Sequence, residues 1–163
     1  MEKRVIAIDP GFDRLGAAIL EPGKNGMATL LHSECITTDK KDTPAERLLI
    51  IGLSVSKLIK KWGPDELAIE SLFFNQNSST ALGVAEARGV VLYESAMAEL
   101  KVFEYSPQAV KIAVTGYGKS DKKQVEMMVR KLVSMPESGR KVLDDELDAI
   151  AVGITHLATL KAI

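Results

Sequence analysis

The chain carries two hydrophobic rhythms. Residues 4–9 (RVIAID) and 15–20 (LGAAIL) are short apolar runs, and 27–37 (MATLLHSECIT) continues with polar positions interleaved. Runs of this length and kind predict strands, with Gly23-Lys24-Asn25-Gly26 forming a hairpin turn between the second and third. A helical rhythm follows. Thr43 stands as an N-cap, Pro44 suits the first helical position and Glu46 completes a capping box. Leu48, Ile51, Val55, Leu58 and Ile59 give this helix one apolar face, and Trp62-Gly63-Pro64 ends it. Residues 66–70 (ELAIE) predict a short buried strand.

The next segment, 79–99, predicts a helix that is apolar or small on several faces, with Gly83 and Gly89 inside it. Each glycine weakens a helix by ~1 kcal/mol unless it permits close packing. This helix is therefore expected to pack on more than one side, with a second subunit as one candidate. Residues 101–105 predict another strand. A short helix starts at Pro107, another runs from Asp121 to Ser134, and the last from Leu143 to Leu160. A run of strands followed by alternating strands and helices implies an α/β fold, a mixed sheet with helices on its faces.

Two strands end on an acid. Asp9 closes the first, and Glu70 closes the strand after the first long helix. Asp9-Pro10-Gly11 also suits a plain turn. In open α/β sheets, however, sites form beyond the carboxyl ends of strands. If the two strands are parallel neighbours, Asp9 and Glu70 lie side by side. Two such carboxylates repel unless a cation intervenes, and hard divalent ions are bound by a few carboxylates plus water.

The last helix opens with DDELDAIA, residues 144–151. Leu143, Leu147, Ile150 and Ile154 fall on one face, expected to be buried. Asp145 and Asp148 are three apart and share a flank, while Asp144 and Asp148 are four apart and are neighbours too. Spacing does not choose between Asp144 and Asp145. Acids in a first turn also complement the helix dipole, but Asp148 lies past that turn, beside apolar residues.

Composition adds a partner class. With 163 residues and 46% hydrophobic, the chain is expected to form one domain spanning 1–163 with a sizeable core. No apolar run reaches the length of a membrane span, and the first apolar stretch runs straight into a turn, unlike a signal peptide. A lone cysteine, Cys35, is expected to be a buried thiol in a cytoplasmic protein. The net charge of −1 hides an asymmetry, because residues 101–141 hold nine basic and four acidic side chains. Such a segment in a mildly acidic chain points to a polyanion. His32 and His156 are far apart, form no metal pattern and read as structural.

Five segments in order, IAIDPG (6–11), AIESLFF (68–74), FEYSPQAVK (103–111), GYGKSDKKQV (116–125) and DDELDAIAVGITH (144–156), resemble the RuvC family of Holliday-junction resolvases in the RNase H-like superfamily. The resemblance covers nearly the whole chain. It implies a five-stranded mixed sheet with the first three strands antiparallel and the first beside the fourth. It places the family's four acidic positions on Asp9, Glu70, Asp145 and Asp148, the DxxDA match favouring Asp145 over its neighbour Asp144. It further implies Mg²⁺ as cofactor, two ions per site with Mn²⁺ able to substitute. Paired incision of four-way junction DNA would leave 5′-phosphate and 3′-hydroxyl ends. The working form would be a homodimer through the 79–99 helix, with the RuvA–RuvB branch-migration complex as a further partner. Lys111 and Lys122 match functional lysines and Phe73 a base-stacking aromatic. Phe74, Lys119 and Lys123 are added as DNA contacts from position and charge, with Asn75, Gln76 and Arg88 as weaker candidates. Three other readings compete: an RNA-processing RNase H-like nuclease, a non-catalytic branched-DNA-binding module and an actin-like phosphotransferase. The lysine loop and the small-residue helix count against the first, the four acids against the second, and the short chain against the third.

Overall fold

The computed structural model describes residues 3–72, 80–135 and 140–161. Three strands come first: β1 (Val5–Asp9), β2 (Arg14–Pro22) and β3 (Ala28–Thr37). The hairpin loop between β2 and β3 holds a single 3₁₀ turn, with Asn25 in the left-handed region at φ 56°. Helix α1 (Pro44–Trp62) begins at the expected capping box, with Thr43 accepting from the Glu46 amide and the Glu46 carboxylate accepting from that of Thr43. Then come β4 (Glu66–Glu70), α2 (Ala81–Met97), β5 (Lys101–Tyr105), α3 (Pro107–Thr115), α4 (Lys122–Leu132), β6 (Val133–Ser134) and α5 (Asp144–Lys161).

The strands form one sheet in the order β5-β4-β1-β2-β3-β6. β1 pairs antiparallel with β2 and parallel with β4, as the side-by-side placement of Asp9 and Glu70 requires. Six strands stand where five are expected. The extra one is Val133–Ser134, which reads as the end of a helix but pairs with Ala28 and Thr29 of β3. Two residues are too few to show a strand's alternation.

The strand period of two sorts the core into two layers. Val5, Ala7 and Ala68 face α3, α4 and α5, whereas Ile6, Ile8, Leu67 and Ile69 face α1 and α2. Counting on by two puts Asp9 and Glu70 on the α5 side. Residues 149–157 of α5 are buried without a break, as expected of a helix that is apolar all round. Leu147, Ile150 and Ile154 line its core face as expected, but Leu143, one residue before the helix, is 38% exposed.

Helix α2 packs on one side within the chain, and the second subunit expected as a candidate for its other side is outside this single chain. Within the chain it buries only Ala87, Val91 and Ser95, and leaves Leu82, Tyr93 and Met97 exposed. Gly83 does serve close packing, since a Cβ there would meet the Phe12 ring, but a Cβ on Gly89 would meet nothing. Cys35 is half-buried rather than buried. His156 is buried between Glu66, 2.8 Å from its Nε2, and the Tyr105 hydroxyl, 2.8 Å from its Nδ1, a structural histidine as expected.

A second buried carboxylate holds α5 in place. Glu146 is 1% exposed, yet it accepts from Arg140 at 2.8 and 2.9 Å and from the Ser33 hydroxyl at 2.7 Å. Burial pushes its carboxyl up, but Arg140 and Ser33 outweigh burial and hold it below the usual range. The stabilisation is then fully present above the ordinary glutamate value and fades as pH falls through the lower folded value. Glu146→Gln is expected to cost about 1–3 kcal/mol at pH 7, and the gap to the parent chain should shrink below about pH 4. Urea unfolding at pH 7 and pH 3.5 checks both statements.

Candidate active site

The site is built at the carboxyl ends of β1 and β4. After Asp9 the chain must turn at once, and Gly11 allows it: a Cβ there would lie 1.7 Å from the Arg14 carbonyl oxygen. Thr38 clamps the turn by donating its hydroxyl to the Phe12 carbonyl at 2.7 Å, and its amide to that of Asp13 at 3.1 Å. Arg47, only 8% exposed, stacks its guanidinium 3.7 Å from the Phe12 ring centroid and pairs with Asp13. Asp9 therefore stands on a rigid strand tip.

Glycine also brings α5 to the strands. Gly16 is the β2 residue opposite Asp9, and a Cβ on it would lie 1.9 Å from the Asp145 carbonyl oxygen. The first turn of α5 can rest there only because the position carries no side chain. It presents its acids toward the strand tips.

Asp9, Glu70 and Asp148 line a cleft of about 250 Å³ together with Pro107, Val110, Lys111, Lys122, Val125 and Ala151. Burial, then the charges of Glu70, Asp148 and Asp145, push the Asp9 carboxyl up to about 8, with Lys122 opposing. Burial and Asp148 push Glu70 up to about 7 against Lys111. Burial also raises Asp148, against the pull of Lys122. Carboxylates that hold protons near neutral pH are short of positive charge, and their all-oxygen donor set suits a hard divalent cation. Among the described residues, however, no three acidic, histidine or cysteine side chains already stand as a ready-made cation cluster.

The fourth acid stands apart. Asp145 does not line the cleft. Its Oδ2 accepts from Arg14 Nε at 2.8 Å and from an Arg14 terminal nitrogen at 2.5 Å, with Cys35 Sγ 3.8 Å away. Lys122 stands 3.3 Å from Asp144 and 3.9 Å from Asp148. Thus Asp144, the competitor for the third acidic position, is paired with a lysine and largely exposed. Of the four lysines, Lys111 and Lys122 line the cleft, whereas Lys119 and Lys123 are exposed outside it. Phe73 and Phe74 lie outside the described residues, as do Asn75 and Gln76. Arg88, considered for an interface or DNA, pairs with Glu104 at 2.6 Å. Arg14 was missed altogether, because no local pattern marks a partner 131 residues away.

Residues 5–156 match the family described as crossover junction endodeoxyribonuclease RuvC. The chain belongs to the RuvC family. The RuvC of Thermosipho melanesiensis is 44% identical over 149 residues, covering 91% of this chain and 93% of its own. That of Roseiflexus sp. strain RS-1 is 43% identical over 153 residues, covering 94% and 89%. Among solved structures, RuvC of Thermus thermophilus in complex with Holliday junction substrate superposes with a TM-score of 0.88 at 31% identity, covering 98% of this chain and 96% of that one. The yeast mitochondrial Holliday junction resolvase Ydc2 shares the fold, with a TM-score of 0.70 at 15% identity, 98% of this chain and 81% of its own. The fold is therefore the RNase H-like α/β fold of RuvC, with its mixed sheet flanked by helices.

Proposed function

We infer that this RuvC-family chain is a single-domain endonuclease that resolves four-way DNA junctions by paired incision, leaving 5′-phosphate and 3′-hydroxyl ends. The observation that carries the chemistry is the cleft that Asp9, Glu70 and Asp148 line, two of them with carboxyls raised to about 8 and about 7. Asp9, Glu70, Asp145 and Asp148 would hold the divalent ions, Mg²⁺ by the hardness of the donors, or Mn²⁺ in its place. Ions bound there supply Lewis acidity and a more acidic bound water.

The protein's own groups do the rest. Asp9 and Glu70, fixed on strand tips, give up their protons as the site is charged. Lys111 and Lys122 flank the acids and supply the positive charge that a phosphodiester needs as it approaches. Lys119 and Lys123, on the exposed rim, contact the backbone farther out. Phe73 and Phe74 follow Glu70 in sequence and would stack on bases at the opened junction. Cutting two strands symmetrically calls for a dimer with two sites. Leu82, Tyr93 and Met97, exposed on α2 around an open Gly89, supply the apolar face for it. RuvA and RuvB would act as partners on the same junction. No helix among the described residues is long and apolar enough to cross a membrane, and the reading places the enzyme in the cytoplasm with its DNA.

The test pairs a synthetic four-way junction with linear duplex and RNA–DNA hybrid of the same sequence, in Mg²⁺. Symmetric nicks in the junction alone are expected. Cutting of the hybrid but not the junction would overturn the reading. On the same junction without divalent ions, Lys111→Ala and Lys122→Ala should each lower the dependence of log affinity on log salt by about one. Junction-binding isotherms across a salt series measure it.

A further inference from the structure

Arg14 is half-exposed at the start of β2, and both of its bonds go to one oxygen of Asp145. Three of the acids line one cleft while the fourth is held aside. Arg14 also lines a second, larger cavity of about 650 Å³, with Phe12, Lys40 and Arg47 among its other walls. The cavity is open and of mixed charge, with Asp13 and Glu86 also in its walls, and it gives the half-exposed guanidinium room to move off Asp145. Lys40 and Arg47 are each tied to Asp13, so neither competes for Asp145.

We propose that Arg14 is a displaceable latch on Asp145: it occupies the fourth acid in the free protein, and passes to a DNA phosphate when a divalent cation takes that acid. The latch rests on the reading of Asp145 as a cation ligand. Its chemistry is ordinary. A guanidinium and a divalent cation compete for the same carboxylate oxygen, and a guanidinium matches a phosphate as well as it matches a carboxylate. The half-exposed geometry suits an exchangeable pair, since such pairs are weak and open readily. Arg14 is a positioning residue, acting on the reaction through Asp145. It keeps the site from charging fully before DNA arrives.

Mn²⁺ alone, titrated into the DNA-free protein and followed by loss of the free-ion paramagnetic resonance signal, tests the latch. Arg14→Gln is expected to bind Mn²⁺ about fivefold tighter than the parent chain, the scale of an exposed ion pair. The gain should vanish in the double variant Arg14→Gln, Asp145→Asn. The junction-binding salt slope of Arg14→Gln should also fall by about one. Mn²⁺ binding that is unchanged or weaker in Arg14→Gln, with Asp145→Asn still reducing it, overturns the latch and leaves the ligand reading intact. Binding indifferent to Asp145→Asn in either background removes Asp145 from the ligand set, and the latch with it. An unchanged salt slope shows that the guanidinium does not pass to phosphate.

Discussion

Asp9→Asn is expected to abolish junction cleavage and, at pH 8 without divalent ions, to make the protein more stable. The two effects share a cause. In the folded chain the Asp9 carboxyl is raised from 3.8 to about 8 by burial and by the neighbouring carboxylates. The folded state therefore keeps a proton that the unfolded state has released. Stability without metal falls as pH climbs from about 4 to about 8, and levels off above that. Asparagine cannot ionise, so it escapes this loss, which we put on the order of 2 kcal/mol once local relaxation is allowed for. The melting temperature should rise by about 5 °C at pH 8. The gain should disappear at pH 4, where the carboxyl is neutral in the folded chain. Mg²⁺ should do for the parent chain at pH 8 what the substitution does without it. Cleavage, by contrast, should fall by on the order of 10³-fold or more, because an amide is a poor ligand where a charge is needed. Calorimetry with a chelator at the two pH values, and single-turnover cleavage with Mg²⁺, read the two halves separately. A variant that is inactive but no more stable at pH 8 would remove the raised Asp9 carboxyl, with both burial and like-charge crowding as its causes, from the account.

Gly16→Ala is the second large effect, and it works through the backbone. The added methyl would meet the Asp145 carbonyl oxygen at 1.9 Å and the Ala149 Cβ at 3.3 Å. The first is main chain and cannot rotate away, so the first turn of α5 must lift from β2. Overpacking of this kind costs about 1–3 kcal/mol, or roughly 3–10 °C of melting temperature at this chain length. The displacement carries Asp145 and Asp148 with it, and a shift of about 1 Å at a catalytic centre can cost about 10²-fold in rate. Cleavage should drop far more than junction binding, since the cleft lysines, Lys111 and Lys122, stand on α3 and α4. Equal losses in both would mean that the whole fold, and not α5 alone, has been disturbed.

Local signals carried part of this picture. The strand tips at Asp9 and Glu70 were legible because each acid ends an uninterrupted apolar run, and the parallel pairing of β1 with β4 brings them together. The start of α1 was legible because Thr43, Pro44 and Glu46 form a self-contained capping box. Other features depend on partners far along the chain. β6 exists only because β3 offers Ala28 and Thr29 as partners. Glu146 looked like one more first-turn acid, yet it is the buried one, held by Ser33 from 113 residues away. Helical spacing could not separate Asp144 from Asp145, since both neighbour Asp148. The fold separates them by sending Asp144 to Lys122 and Asp145 to Arg14.

The sheet and α5 each contribute half of the four acids: Asp9 and Glu70 on strands, Asp145 and Asp148 on the helix. No fragment that stops short of α5 carries the set. Such a fragment would also lose the helix that covers β1 and β2, so it would keep neither the set nor the core. If Asp145 and Asp148 hold the ions, cutting competence needs α5 docked and departs first when its opening turn frays. On this reading nuclease activity would report whether α5 is docked, a safeguard for a genome against partly folded copies of an enzyme made to cut it.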